Sequence, residues 1–152
     1  MLLFFTSLSV PIDVYGLGTV EYANKCEEKI EVRVPPFNCR DAQATSIRAT
    51  ENGREIPEGA GQAERCDNPS HGSSSCQTGT RILKYTDTIQ RNGVEERIST
   101  VIFCRRVAGD SGDTFSDVAV IQLNETKNLS CWFNKLGAPN SANVPSPSES
   151  GA

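Results

Sequence analysis

The residues with the greatest chemical potential lie in one short stretch, Gly109-Asp110-Ser111-Gly112. A serine beside an aspartate, in a chain whose single histidine is His71, supplies the residue types that a nucleophile, a base and an orienting acid require. Those types act only in a particular geometry, and a polar turn between strands accounts for the same four residues. The loop also offers Asp110, Ser111, Asp113 and Asp117 as oxygen ligands for calcium, a hard cation that takes roughly six to eight of them. Their spacing departs from the EF-hand pattern, and a solvated acidic loop reads the same way.

Trp132 next to Phe133 could form a stacking platform for a sugar or another planar ligand. On an alternating strand, one ring of such a pair goes to the core and the other outside, and Trp132 beside Cys131 suits packing against a disulfide. Asn124-Glu125-Thr126 and Asn128-Leu129-Ser130 are glycosylation sequons, and a turn at Asn124 would make that site accessible. Zinc is disfavoured by spacing: there is no CxxC, and one histidine leaves a tetrahedral site short of nearby ligands. The net charge of −4 and pI near 5.0 argue against nucleic acid, whose phosphates demand Lys and Arg. A local excess of base at 81–106, carried by Arg81, Lys84, Arg91, Arg97, Arg105 and Arg106, reads as the solvated face of a hairpin before it reads as an anion patch.

These residues need a scaffold, and the cysteines indicate its kind. Cys26, Cys39, Cys66, Cys76, Cys104 and Cys131 form an even, scattered set without metal spacing, the usage of a disulfide framework in an oxidising compartment. Neighbour pairing is preferred: Cys26 with Cys39, Cys66 with Cys76, and Cys104 with Cys131. Around them the pattern is β. Residues 29–34, KIEVRV, alternate cleanly and end at Pro35-Pro36. Residues 45–50 run into Asn52-Gly53, and 81–89 and 94–107 flank Asn92-Gly93, both dipeptides being hairpin turn signals. Residues 115–123 and 129–136 make a third hairpin. No helical pattern of ten or more residues stands out. The expectation is a single all-β domain, a small disulfide-stapled sandwich or open barrel of about six to seven strands built from successive hairpins.

The ends differ in composition. MLLFFTSLSV at the amino terminus has the length of a signal-peptide apolar region, with cleavage expected after Ser9 or Gly16, although no Lys or Arg precedes it. It is too short to span a bilayer as a helix. Residues 17–136 would form the domain, and 137–152, rich in Pro, Ser and Gly, a disordered tail or linker. Residues 57–80 lack periodicity and form a long loop that needs a staple or a function.

Two resemblances follow from these motifs. Gly109-Asp110-Ser111-Gly112 resembles the surroundings of the nucleophile in trypsin-like serine proteases, but Asp113 stands where that family has a second glycine, and His71 lies in PSHGSS. Pro35-Pro36-Phe37-Asn38-Cys39, Cys66-Asp67-Asn68-Pro69, Cys76 with Gly79-Thr80-Arg81, Phe103-Cys104-Arg105-Arg106, residues 115–122 and Cys131-Trp132-Phe133 together resemble a cysteine-containing domain of uncharacterised exported bacterial proteins, often adjacent to cytochrome c-like haem modules. That resemblance implies export and an accessory or recognition role. No CxxCH is present, so no haem role comes with it.

The leading expectation is therefore a secreted or periplasmic, non-enzymatic binding or accessory module without a cofactor. Its stapled loop 57–80 and acidic turn 108–114 would meet a protein or carbohydrate partner, with Asn68, His71 and Trp132 on the contact surface. A small secreted hydrolase using Ser111 and His71 is the rival, and a structural spacer of a larger exported protein the third reading.

Overall fold

The computed structural model describes residues 10–11, 18–66, 76–136 and 142–149. In chain order the elements are β1 (Val10–Pro11), α1 (Thr19–Ile30), β2 (Phe37–Asn38), β3 (Thr45–Ser46), β4 (Ala49–Glu51), β5 (Arg54–Ile56), β6 (Gln62–Ala63), β7 (Arg65–Cys66), β8 (Cys76–Gln77), β9 (Arg81–Arg91), β10 (Val94–Arg105), β11 (Asp117–Asn124), β12 (Leu129–Leu136) and β13 (Asn143–Val144). The long strands β9 to β12 form an antiparallel meander. β3 extends it at one edge and β1, running parallel to β12, at the other, giving the order β1-β12-β11-β10-β9-β3. Three smaller sheets, β13-β2, β5-β4-β7 and β6-β8, flank it. The fold is mostly β with disulfides, and among the described residues the sheets close into no barrel.

Turn chemistry fixes the registers. Asn52 and Gly53 have φ of 48° and 73°, Asn92 and Gly93 of 50° and 77°. Positive φ at both central residues matches the right-handed twist of the strands, so Glu51 pairs with Arg54 and Arg91 with Val94. The β11–β12 turn is closed by the Asn124 side-chain carbonyl, which accepts the N–H groups of Thr126 and Lys127 at 3.1 and 2.9 Å. Asn124 is fully buried, and its amide donates to Glu96 at 2.8 Å. This nitrogen is engaged inside the sheet, contrary to the accessible sequon expected at this turn.

Alternation along β10 and β11 puts Ile98, Thr100, Ile102 and Cys104 on the same face as Val118, Val120, Gln122 and Asn124, all buried. That face is roofed by α1, by the irregular segment after it, and by Phe115, Ala142 and Val144. On α1, Ala23, Cys26 and Ile30 are three and four residues apart and form its buried stripe. Tyr22 stacks at 5.2 Å on Phe133, and its hydroxyl accepts the Trp132 N–H at 3.0 Å. Each large apolar side chain withdrawn here contributes about 1.5 to 3 kcal/mol.

Four expectations are corrected. Residues 29–34 do not form a strand: 29 and 30 close α1, Glu31 caps it in the left-handed conformation (φ 66°), and Val32 and Val34 bury by alternation without a ladder. The helix that sequence reasoning missed is held by tertiary burial, since a 12-residue segment is marginal alone. Residues 45–50 split between two sheets, as β3 and β4. Of the stretch expected as a tail, 142–149 packs back: Val144 pairs with Phe37, Cys39 N–H donates to the Ala142 carbonyl at 2.9 Å, and Ser146, fully buried, donates to the Val34 carbonyl at 2.6 Å. Few apolar side chains suffice there because the groove that receives them is already built. The leader lies outside the described residues except for Val10 and Pro11, which pair with Leu129 and Ser130.

The fourth correction concerns the bridges. Cys26 joins Cys131 and Cys39 joins Cys104, replacing the neighbour pairs of Cys26 with Cys39 and Cys104 with Cys131. The side chains of Cys66 and Cys76 lie outside the described residues, although their backbones pair with Ala49 and Ala63. Both observed bridges fasten the roof to the meander, across 105 and 65 residues of chain, and long closures restrict the unfolded state most. Peptide mapping without reduction should recover Cys26 with Cys131 and Cys39 with Cys104, and Cys26 linked to Cys39 would contradict this topology. Replacing Cys39 and Cys104 together by serine is expected to cost roughly 4 kcal/mol in urea unfolding.

Candidate recognition site

The Cys39–Cys104 bridge has an electrostatic consequence, because basic residues follow both cysteines. Arg40 is next to one, Arg105 and Arg106 to the other, and Cys104 is paired across the ladder with Arg81. Arg105 turns to Asp117, at 2.9 Å, and to the Asn134 side chain, at 3.2 Å. The other three guanidiniums converge on one carboxylate, Glu58, with Arg40 at 2.6 Å, Arg81 at 3.0 Å and Arg106 at 3.3 Å. Arg106 is almost wholly buried, its side chain 4% exposed, and it lies over the Phe115 ring at 5.1 Å, with Arg40 at 5.6 Å.

Glu58 belongs to the loop that follows β5, and Gly112 to the loop between β10 and β11. Arg40 and Arg106 both donate to the Gly112 carbonyl, and Arg40 also pairs with Asp113 at 3.1 Å. The guanidiniums therefore join the two segments that the sequence marked separately. Thr78 fixes the first one further, its hydroxyl accepting the N–H groups of Gly59 and Gly61 at 3.2 Å each. Gly79 sits at the seam with φ 86°, where a Cβ would stand 2.7 Å from an Arg106 nitrogen and 2.8 Å from the Glu58 side chain. Neither the backbone conformation nor the space admits a side chain there.

The aspartates of the acidic turn go to separate partners. Asp110 accepts Val107 N–H at 3.0 Å, Ser116 N–H at 2.9 Å and the Ser116 hydroxyl at 2.6 Å, while Asp113 and Asp117 take Arg40 and Arg105. The loop is thus braced by its own donors, and no three metal-ligating side chains gather among the described residues. Ser111 is exposed, and its carbonyl closes a turn with Thr114 N–H at 3.0 Å. His71 and Asn68 lie outside the described residues. Trp132 is 54% exposed on the face away from the roof, with its indole N–H donating to Ser130 Oγ at 3.1 Å. Cys131 and Phe133 enter the core instead, so the packing of Trp132 against a bridge expected from the sequence is corrected.

Charge stabilisation outweighs burial at three carboxylates. Burial opposes the Glu58 anion, but hydrogen bonding to Arg81 and the Arg40 charge hold it below the usual carboxylate range. Asp110 is likewise penalised by burial and still lowered by its Ser116 and Val107 donors. Glu96 is lowered chiefly by the Asn124 hydrogen bond, against burial and with help from Lys127 and Arg91. The Arg106 guanidinium is lowered, first by burial. Sequence reasoning found Arg81 and Arg106 in a basic run but not Arg40 or Glu58, which are distant in sequence and meet only through the bridge. No protein-family model matches the chain, and comparison with curated proteins and with solved structures returns no match.

Carboxylates with depressed folded-state values give stability that is complete above their unfolded value and is lost as pH falls through the folded one. The melting temperature should hold between pH 7 and about 5 and drop below about 4. Glu58→Gln, which leaves three cations with less compensation, is expected to cost about 1 to 2 kcal/mol at pH 7 and to flatten part of that acid limb. An unchanged acid limb in this variant would show that Glu58 is not a coupled carboxylate. Gly79→Ala should cost about 1 to 3 kcal/mol through strain at positive φ and displacement of Arg106.

Proposed function

We propose that the protein is an exported, non-enzymatic recognition module whose loop 57–80 and turn 108–114 act as one surface. The observation that carries this reading is the joint hold of Arg40 and Arg106 on Glu58 and on the Gly112 carbonyl. A loop fixed before binding surrenders less entropy on contact, which is the physical advantage of mounting recognition segments on a bridged sheet. Two disulfides support an oxidising compartment, secreted or periplasmic, and no described helix is long and apolar enough to cross a membrane. The partner class is a protein or a carbohydrate.

The hydrolase reading is disfavoured by the state of Asp110. Its oxygens accept the Val107 and Ser116 N–H groups and the Ser116 hydroxyl, which braces the turn, and no described residue hydrogen-bonds the exposed Ser111 side chain as a base would. A structural spacer would show neither a specific partner nor labelling of Ser111.

Removing residues 68–75 while keeping Cys66 and Cys76 should abolish retention of the partner recovered from the host's exported fraction, with the melting temperature little changed. Equal retention by this variant and the parent would refute the proposal. Labelling of Ser111 by a serine-directed phosphonate would replace it with the hydrolase.

A further inference from the structure

The meander has a second face, opposite the roof, where Lys84, Thr86 and Trp132 are exposed and Ile82, Val101, Phe103 and Ile121 half-buried. Cross-strand register puts Lys84, Val101, Ile121 and Trp132 in one row of direct neighbours over β9, β10, β11 and β12. The adjacent row is Thr45, Ile82, Phe103 and Ala119, starting on β3. Val101, Ile121, Ile82 and Phe103 are half-buried, and Trp132 is 54% exposed. A contiguous apolar strip on the open face of a sheet is the kind of surface that marks a binding site.

Two further features say what it would bind. At the β3 edge the strip opens into a groove of about 330 Å³ lined by Thr45, Ser46, Ile47, Ile82 and two cations, Arg48 and Lys84, a volume within the range of small-molecule sites. Lys84 is exposed and makes no ion pair or hydrogen bond with any described residue, so its ammonium stands free at the end of the apolar row. Adjacent strands are about 4.8 Å apart, which puts Lys84 and Trp132 about 14 Å from each other across the row.

The geometry points to a binding site for an amphiphilic organic anion, with its carboxylate or sulfonate at Lys84 and its apolar body over Val101 and Ile121 against Trp132. The site is distinct from the arginine cluster and needs none of its residues. A free cation beside apolar surface selects this chemistry over a neutral hydrocarbon, which would leave the ammonium unanswered, and over a small inorganic anion, which would leave the strip wet.

Trp132 is the chain's single tryptophan, so its fluorescence reports on this face alone. Anilinonaphthalene sulfonate, titrated into the native disulfide-bonded protein, should bind saturably, quench Trp132 by energy transfer and be displaced by decanoate. Lys84→Gln should weaken probe binding about fivefold with the melting temperature unchanged. Lys29→Gln, on the exposed side of α1 and with the same loss of charge, should leave it unaltered. Equal affinity in the Lys84→Gln and parent proteins would overturn the proposal, as would probe emission without loss of Trp132 emission. Sedimentation of the parent as a dimer that excludes the probe would overturn it in favour of a second copy of the chain on this face.

Discussion

A meander with Ile98, Ile102, Val118, Val120 and Phe133 on one face must be roofed, and the described residues hold no second large sheet to do it. The roof consists of a 12-residue helix, an irregular segment through Val34 and Phe37, and two short returns at Phe115 and Val144. None of these pieces could hold its shape in water. They do so because the two bridges tie them to β10 and β12, so that docking of the roof and closure of the sheet are one event. The smallest pieces are satisfied individually, as when Ser146 reaches the Val34 carbonyl and Cys39 N–H reaches the Ala142 carbonyl.

The same constraint produces the arginine cluster. Closing Cys39 onto Cys104 carries Arg40 towards Arg106 and Arg81, a like-charge gathering that is stable only with anions and acceptors among the cations. Glu58, Asp113 and the Gly112 carbonyl provide them. A structural need, neutralising three guanidiniums, thereby ties Glu58, just after β5, to Gly112, between β10 and β11. Phe115 ties the cluster to the core, with one face under Arg106 and the side chain only 1% exposed.

The two faces of the sheet contrast in the same terms. The roofed face carries branched apolar residues with Phe133, and polar groups such as Asn124, which is paired with Glu96. The open face carries Trp132, Ile121, Val101 and a free lysine, a composition that burial alone does not require. β-Strand alternation assigns every residue of β10 and β11 to one face or the other, so the character of both faces was written in the same few residues.

Local chemistry was legible in the sequence. Asn52-Gly53 and Asn92-Gly93 demanded positive φ and therefore hairpins, and the alternation in β10, β11 and β12 demanded a sheet. The all-β class followed from these, and the disulfides from six scattered cysteines without metal spacing. The helix was not legible, because Ala23, Cys26 and Ile30 are a thin stripe in a polar segment whose helix rests on burial in the core. The bridge partners, the role of Glu58 and the face chosen by Trp132 were decided by tertiary structure. Each depends on contacts between residues tens of positions apart, which turn chemistry and periodicity, acting over a few residues, do not encode.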